Sequence, residues 1–134
     1  MLCFLAAICI AACQGKKPQA PEEEKKYHVT YLPLEELAEK SDIVSLHCAV
    51  TEETRNLVDA ALLRRMKPTA YLINTARGDL VDNEALRQAL LEGRIAGAGL
   101  DTLSPEPVPA GHPLTALPPE VHRKVVLAPH LGGI

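Results

Sequence analysis

Arg77, Asp101, Glu106 and His130 are side chains of the types needed to move a proton beside a bound anion. A guanidinium stays charged at any ordinary pH and presents a planar fork that can grip a carboxylate through two hydrogen bonds. An imidazole titrates near neutrality as a rule and can therefore give or take a proton there. Together the four supply a proton donor, a carboxylate able to orient it, a fixed cation and an acceptor. Taken singly, each has a plainer reading. Arg77 could be a surface arginine paired to Asp79, His130 a solvated loop histidine, Glu106 a surface carboxylate and Asp101 a turn residue. The elements that position them raise the functional reading.

Arg77 follows the apolar run Ala70-Tyr71-Leu72-Ile73, which lacks alternation and so predicts a strand buried on both faces, as in a parallel sheet. After the bend at Gly78, Glu84, Ala85, Leu86, Ala89, Leu90 and Leu91 have helical spacing, with Asp82 as the N-cap and Gly93 as the stop. The same reading predicts strands at 42–47, 70–74, 95–100 and 125–128, and helices at 33–40, 59–66 and 83–92. Asp59 caps the second of these helices, and Leu62, Leu63 and Met66 point inward from it. Residues 29–32 are expected as a short edge strand. The two glycines in Gly97-Ala98-Gly99 imply a neighbouring backbone or a ligand lying close. Repeats of strand and helix at this spacing predict an α/β fold, a Rossmann-like parallel sheet with flanking helices. The stretch from 102 to 124 carries six prolines and is read as a structured loop.

Every predicted strand delivers small or polar residues to one edge: His47 and Cys48, then Thr75, Ala76 and Arg77, then Asp101, then His130 to Gly133. In open parallel sheets that carboxyl edge is where ligands bind, and a crevice there suits a dinucleotide with a small substrate.

Composition closes off other classes. The chain has 134 residues, 47% hydrophobic but only 3% aromatic with no tryptophan, so a core would be built of Leu, Ile, Val and Ala. A net charge of −3 leaves no basic footprint for nucleic acid. Cys3, Cys9, Cys13 and Cys48 form no C-x-x-C pair, and the histidines at 28, 47, 112, 122 and 130 include no pair three or four apart, so no structural metal is expected. The apolar run 1–13 is shorter than the roughly 20 residues a membrane-spanning helix needs and lacks a basic leader. No membrane partner and a cytoplasmic location are expected. An alternative is a lipid anchor at Cys13, since Ile10-Ala11-Ala12-Cys13 looks like a lipoprotein cleavage box. Residues 1–26 are read as an atypical N-terminal segment and linker, with a misplaced or truncated start, and 27–134 as the domain.

Read together, Asn74-Thr75-Ala76-Arg77-Gly78 with Val81-Asp82, Gly97-Ala98-Gly99-Leu100-Asp101, Pro105-Glu106-Pro107, Pro113-Leu114 and Pro129-His130-Leu131-Gly132-Gly133 resemble the D-isomer-specific 2-hydroxyacid dehydrogenases. The resemblance implies the later half of an NAD-binding domain in which Arg77 holds the substrate carboxylate and carbonyl. His130 would be the general acid and base, and Glu106 would hydrogen-bond its ring. It also implies that Asp101 accepts from the nicotinamide side, that Thr75, Ala76 and residues 130–133, Gly132 and Gly133 among them, line the nicotinamide, and that His47, Cys48 and Ala49 line the adenosine side. The implied cofactor is NAD, with NADP left open, the substrate a small 2-hydroxy or 2-oxo acid, and the full-length relatives homodimers. One departure stands out: no G-x-G-x-x-G occurs in the chain. The first βα unit and the substrate domain are therefore expected to be missing, leaving a fragment with little activity of its own. A dinucleotide-sensing module of the same architecture and an inactive gene relic are the alternatives.

Overall fold

The computed structural model describes residues 6–9 and 21–133. Local chemistry sets its helices. In α3, Ala60–Arg65, Asp59 accepts the Leu62 amide at 2.8 Å. In α4, Asn83–Leu91, one oxygen of Asp82 accepts the Glu84 and Ala85 amides at 3.1 and 3.0 Å. Each cap satisfies amides that a helix start leaves without partners. Gly93, at φ +66°, adopts the left-handed conformation beyond the end of α4 that a side chain would disfavour. Pro33 precedes α2, Leu34–Lys40, as its N-cap, one position earlier than a first-turn proline.

Among the described residues, five parallel strands form one sheet in the order β1-β2-β3-β4-β5. They are β1, Ala6–Cys9, β2, Ile43–Leu46, β3, Tyr71–Asn74, β4, Gly97–Leu100, and β5, Val125–Leu127. The register aligns Ile43 with Tyr71 and Tyr71 with Gly97, so the carboxyl ends of β2, β3 and β4 finish level. Val44, Leu46, Leu72, Asn74, Ala98 and Leu100 are buried and share one face. That face belongs to the same core as Ala38, Leu62, Leu63, Leu86 and Leu90 of α2, α3 and α4, which pack in series. The opposite face is different. Tyr71 is 49% exposed and Val126 71%. The expectation that β3 is buried on both faces is corrected accordingly: successive crossovers of one hand lay their helices on one side of the sheet.

Two further differences have local causes. Residues 29–32 form no strand. Their backbone is tied back to α1, Pro21–Tyr27, through the Val29 amide on the Glu24 carbonyl at 3.0 Å and the Tyr31 amide on the Glu24 carboxylate at 2.6 Å. The N-terminal apolar run, set apart in the sequence reading, contributes β1, paired parallel with β2, so the fifth strand comes from residues 6–9 rather than from 29–32. A run without charges can enter a parallel sheet, and periodicity over four residues could not reveal it. The proline-rich stretch is mostly irregular and holds only the four-residue α5, Pro119–His122. Gly97 answers the question of close approach: a Cβ there would lie 2.3 Å from the Lys124 carbonyl oxygen, so the neighbour is backbone. Among the described residues no helix is long and apolar enough to cross a membrane, and Cys13 lies outside them.

Candidate active site

Beyond β5 the chain turns sharply at His130, whose φ of 57° is unusual for a residue with a side chain. A neighbouring strand end holds it there. Asp101, the first residue after β4, accepts the Leu131 amide at 2.8 Å and the Gly132 amide at 2.6 Å, one on each oxygen. It thereby anchors the short 3₁₀ turn Leu131–Gly133, and a Cβ on Gly132 would come within 2.8 Å of the carboxylate. The Gly132 amide first, then the Leu131 amide, then the charge of His130 hold the Asp101 carboxyl below its ordinary value of 3.8, against the opposing effect of burial.

This clamp presents the imidazole to Glu106. Nδ1 of His130 lies 3.0 and 3.1 Å from the two Glu106 oxygens, although 24 residues separate them in sequence. A carboxylate only accepts, so the Nδ1 proton is the one donated to it, and Nε2 is the nitrogen left to exchange a proton with a ligand. Both side chains are partly exposed and face a cavity of about 250 Å³ that Asp101, Leu103, Ala128 and Pro129 also line.

Arg77 is placed by Asn74. That residue is 1% exposed at the end of β3; its amide nitrogen donates to the Arg77 carbonyl at 2.8 Å and its oxygen accepts the Ala76 amide at 3.1 Å. The Arg77 guanidinium donates to the Ala76 carbonyl at 2.7 Å and, among the described residues, pairs with no carboxylate. The plainer reading of an Arg77–Asp79 pair is not what forms. Asp79 is taken by Arg55 at 3.1 Å and by the Ser104 hydroxyl at 2.6 Å. Arg77 lines a second cavity, of about 580 Å³, with Cys48, Ala49, Val50, Ala76 and Arg55. Of the other predicted positions, His47 is exposed and its Nε2 lies 2.8 Å from the Ser45 hydroxyl, and Thr75 is exposed directly after β3.

The structure therefore brings Glu106, His130 and Asp101 together and sets Arg77 at the same sheet edge in a neighbouring cavity, where the sequence reading expected one pocket. The reason is geometric. Arg77 leaves from β3 and His130 from β5, with β4 between them. Sequence reasoning also passed over three supports. Asn74 is a polar residue closing an apolar strand, a readable signal. Gly78 is another: a Cβ on it would stand 2.3 Å from the Leu103 carbonyl carbon, so the Arg77 loop docks on the loop that carries Glu106. Ser104 carried no signal at all.

The carboxyl edge of the parallel sheet thus carries a cation and a hydrogen-bonded His–Glu pair. Residues 6–132 match the family model of the D-isomer specific 2-hydroxyacid dehydrogenase, NAD binding domain, and the chain belongs to that family. It is 54% identical over 110 residues to a protein named glyoxylate reductase from Korarchaeum cryptofilum, covering 82% of this chain and 32% of that one. Among solved structures it resembles the apo form of Rhodotorula graminis D-mandelate dehydrogenase, with TM-score 0.76 and 35% identity over 88% of this chain and 33% of that one. The NAD-complexed D-isomer specific 2-hydroxyacid dehydrogenase of Lactobacillus delbrueckii ssp. bulgaricus gives TM-score 0.69 and 40% identity, covering 87% and 38%. The chain spans about a third of the length of the relatives it matches.

Proposed function

We propose that this chain carries the acid–base machinery and part of the nucleotide site of an NAD-dependent D-2-hydroxyacid dehydrogenase acting between 2-oxo and 2-hydroxy acids. The observation that carries it is the His130–Glu106 pair at 3.0 Å. NAD(H), when bound, supplies the hydride acceptor or donor. The residues present fit such a group, since Cys48, Ala49 and Ala76 leave small side chains around the 580 Å³ cavity at the carboxyl ends of β2 and β3. These three, with His47, Thr75, Gly132 and Gly133, would line it. Asp101 keeps a second acceptor position on each oxygen for the nicotinamide side.

The remaining chemistry belongs to the chain. Reducing a carbonyl carbon leaves its oxygen needing a proton, which Nε2 of His130 would deliver while Glu106 fixes the ring through Nδ1. Arg77 would bind the substrate carboxylate with its fork. The test is a graft of residues 6–132 in place of the matching segment of a glyoxylate reductase relative. It should support 2-oxo acid reduction, and His130→Ala in it should lower kcat by about 10² to 10⁴. Arg77→Lys should raise KM and lower kcat, since an ammonium cannot offer two parallel bonds. Turnover by His130→Ala near that of the parent graft would remove the proton-donor role, leaving a dinucleotide-binding module as the better reading.

A further inference from the structure

We infer that His112 and Ser104 are positioning residues for the acid–base pair, forming a clasp that holds the proline-rich loop so that Glu106 meets Nδ1 of His130. The inference rests on the acid–base reading above. His112 is 3% exposed and lies outside both cavities, yet each of its ring nitrogens has a partner. Nδ1 accepts the Leu114 amide at 3.2 Å, and Nε2 lies 3.1 Å from the Ser104 carbonyl oxygen. A backbone amide only donates and a carbonyl only accepts, so the ring proton sits on Nε2.

The other bonds of Ser104 all end on elements that are themselves fixed. Its carbonyl also accepts from Asn83, the first residue of α4, at 2.7 Å. Its hydroxyl donates to Asp79 at 2.6 Å, in the 3₁₀ turn directly after Arg77. Its amide nitrogen would stand 2.5 Å from a Cβ on Gly78, so the two loops are in backbone contact there.

From that anchor to Glu106 the chain is stiff. Pro105 and Pro107 lock their own φ and restrict Ser104 and Glu106 before them to extended conformations. Fixing the Ser104 peptide thus places the Glu106 backbone two residues on. No other hydrogen bond orients the carboxylate: among the described residues its one hydrogen-bonding partner is His130. The bearing of Glu106 on the imidazole comes from the clasp beneath it.

The test reads ring tautomers rather than activity, on the 134-residue chain with ¹⁵N-labelled histidine, by long-range ¹H–¹⁵N spectra at about pH 9, where free imidazole is neutral. His130 should be mainly the Nδ1–H form, held by Glu106, and Glu106→Ala should let it drift to the Nε2–H form that free histidine prefers. His112→Phe keeps a ring of similar size without either nitrogen and should cause at least half of that drift. His112→Gln retains a donor for the Ser104 carbonyl and should cause less. Ser104→Ala and Asn83→Ala, truncations at partly exposed positions, should drift in the same direction, and they carry the test if His112→Phe does not fold. Drift in Glu106→Ala with none in the clasp variants overturns the clasp and leaves the acid–base pair standing. No drift in Glu106→Ala removes the pair itself and the clasp with it.

Discussion

Asp101 shows how one carboxylate can set the backbone of a site. Its two oxygens take consecutive amides beyond His130, and that bond pair keeps the histidine in a left-handed conformation that side chains disfavour. The pH dependence follows from the direction of its shift. A carboxyl whose folded value lies below its unfolded one contributes stability above the ordinary value, here 3.8, and loses it as pH falls through the lower, folded value. In an acid titration the Leu131 and Gly132 amide resonances should therefore move together with a midpoint under 3.8. A midpoint above that value would show that these bonds do not favour the charged form. Asp101→Asn should abolish the transition, because a carboxamide does not titrate, and it should also cost one of the two bonds, since an NH₂ group cannot accept.

At the scale of elements, the contact between the two functional loops rests on a missing side chain. A Cβ on Gly78 would meet the Leu103 and Ser104 backbone at 2.3 to 2.5 Å, where no rotamer change can make room. Gly99 offers a measured contrast: a Cβ there would meet only the flexible tip of Ile73, at 3.1 Å. In urea unfolding Gly78→Ala is expected to cost about 1 to 3 kcal/mol, the range for overpacking, and Gly99→Ala less. Equal costs would mean that the Arg77 loop yields easily and that the docking is soft. The caps belong to this scale too. Asp59 and Asp82 start α3 and α4 as their sequence context predicts, because an N-cap needs only a side-chain oxygen and the next three amides.

For the whole molecule, the one-sided packing of the sheet divides its residues into two kinds. Leu72 is fully buried in the core that residues of α2, α3 and α4 share, whereas Val126 is 71% exposed on the other face. Leu72→Ala should destabilise by about 2 to 5 kcal/mol through a cavity, and Val126→Thr should stay within about 0.5 kcal/mol. Both are measurable from the urea midpoint. A large loss from Val126→Thr would show that the open face is covered in solution.

The sequence by itself determined what depends on neighbours along the chain: the four later strands, the capped helices, and the residue types gathered at the carboxyl edge, with Arg77, Glu106 and His130 named from their motifs. Turn chemistry and helical period act over a few residues, so they survive in the one-dimensional record. Tertiary structure alone decided what depends on distance. It added β1, left residues 29–32 without a partner strand, opened one face at Tyr71, and separated Arg77 from His130 by the width of β4. It also selected Arg55 rather than Arg77 as the partner of Asp79, and joined Ser104 to His112, Asn83 and Asp79. Such pairings depend on which backbone atoms meet after folding, and no local preference of serine or histidine encodes them.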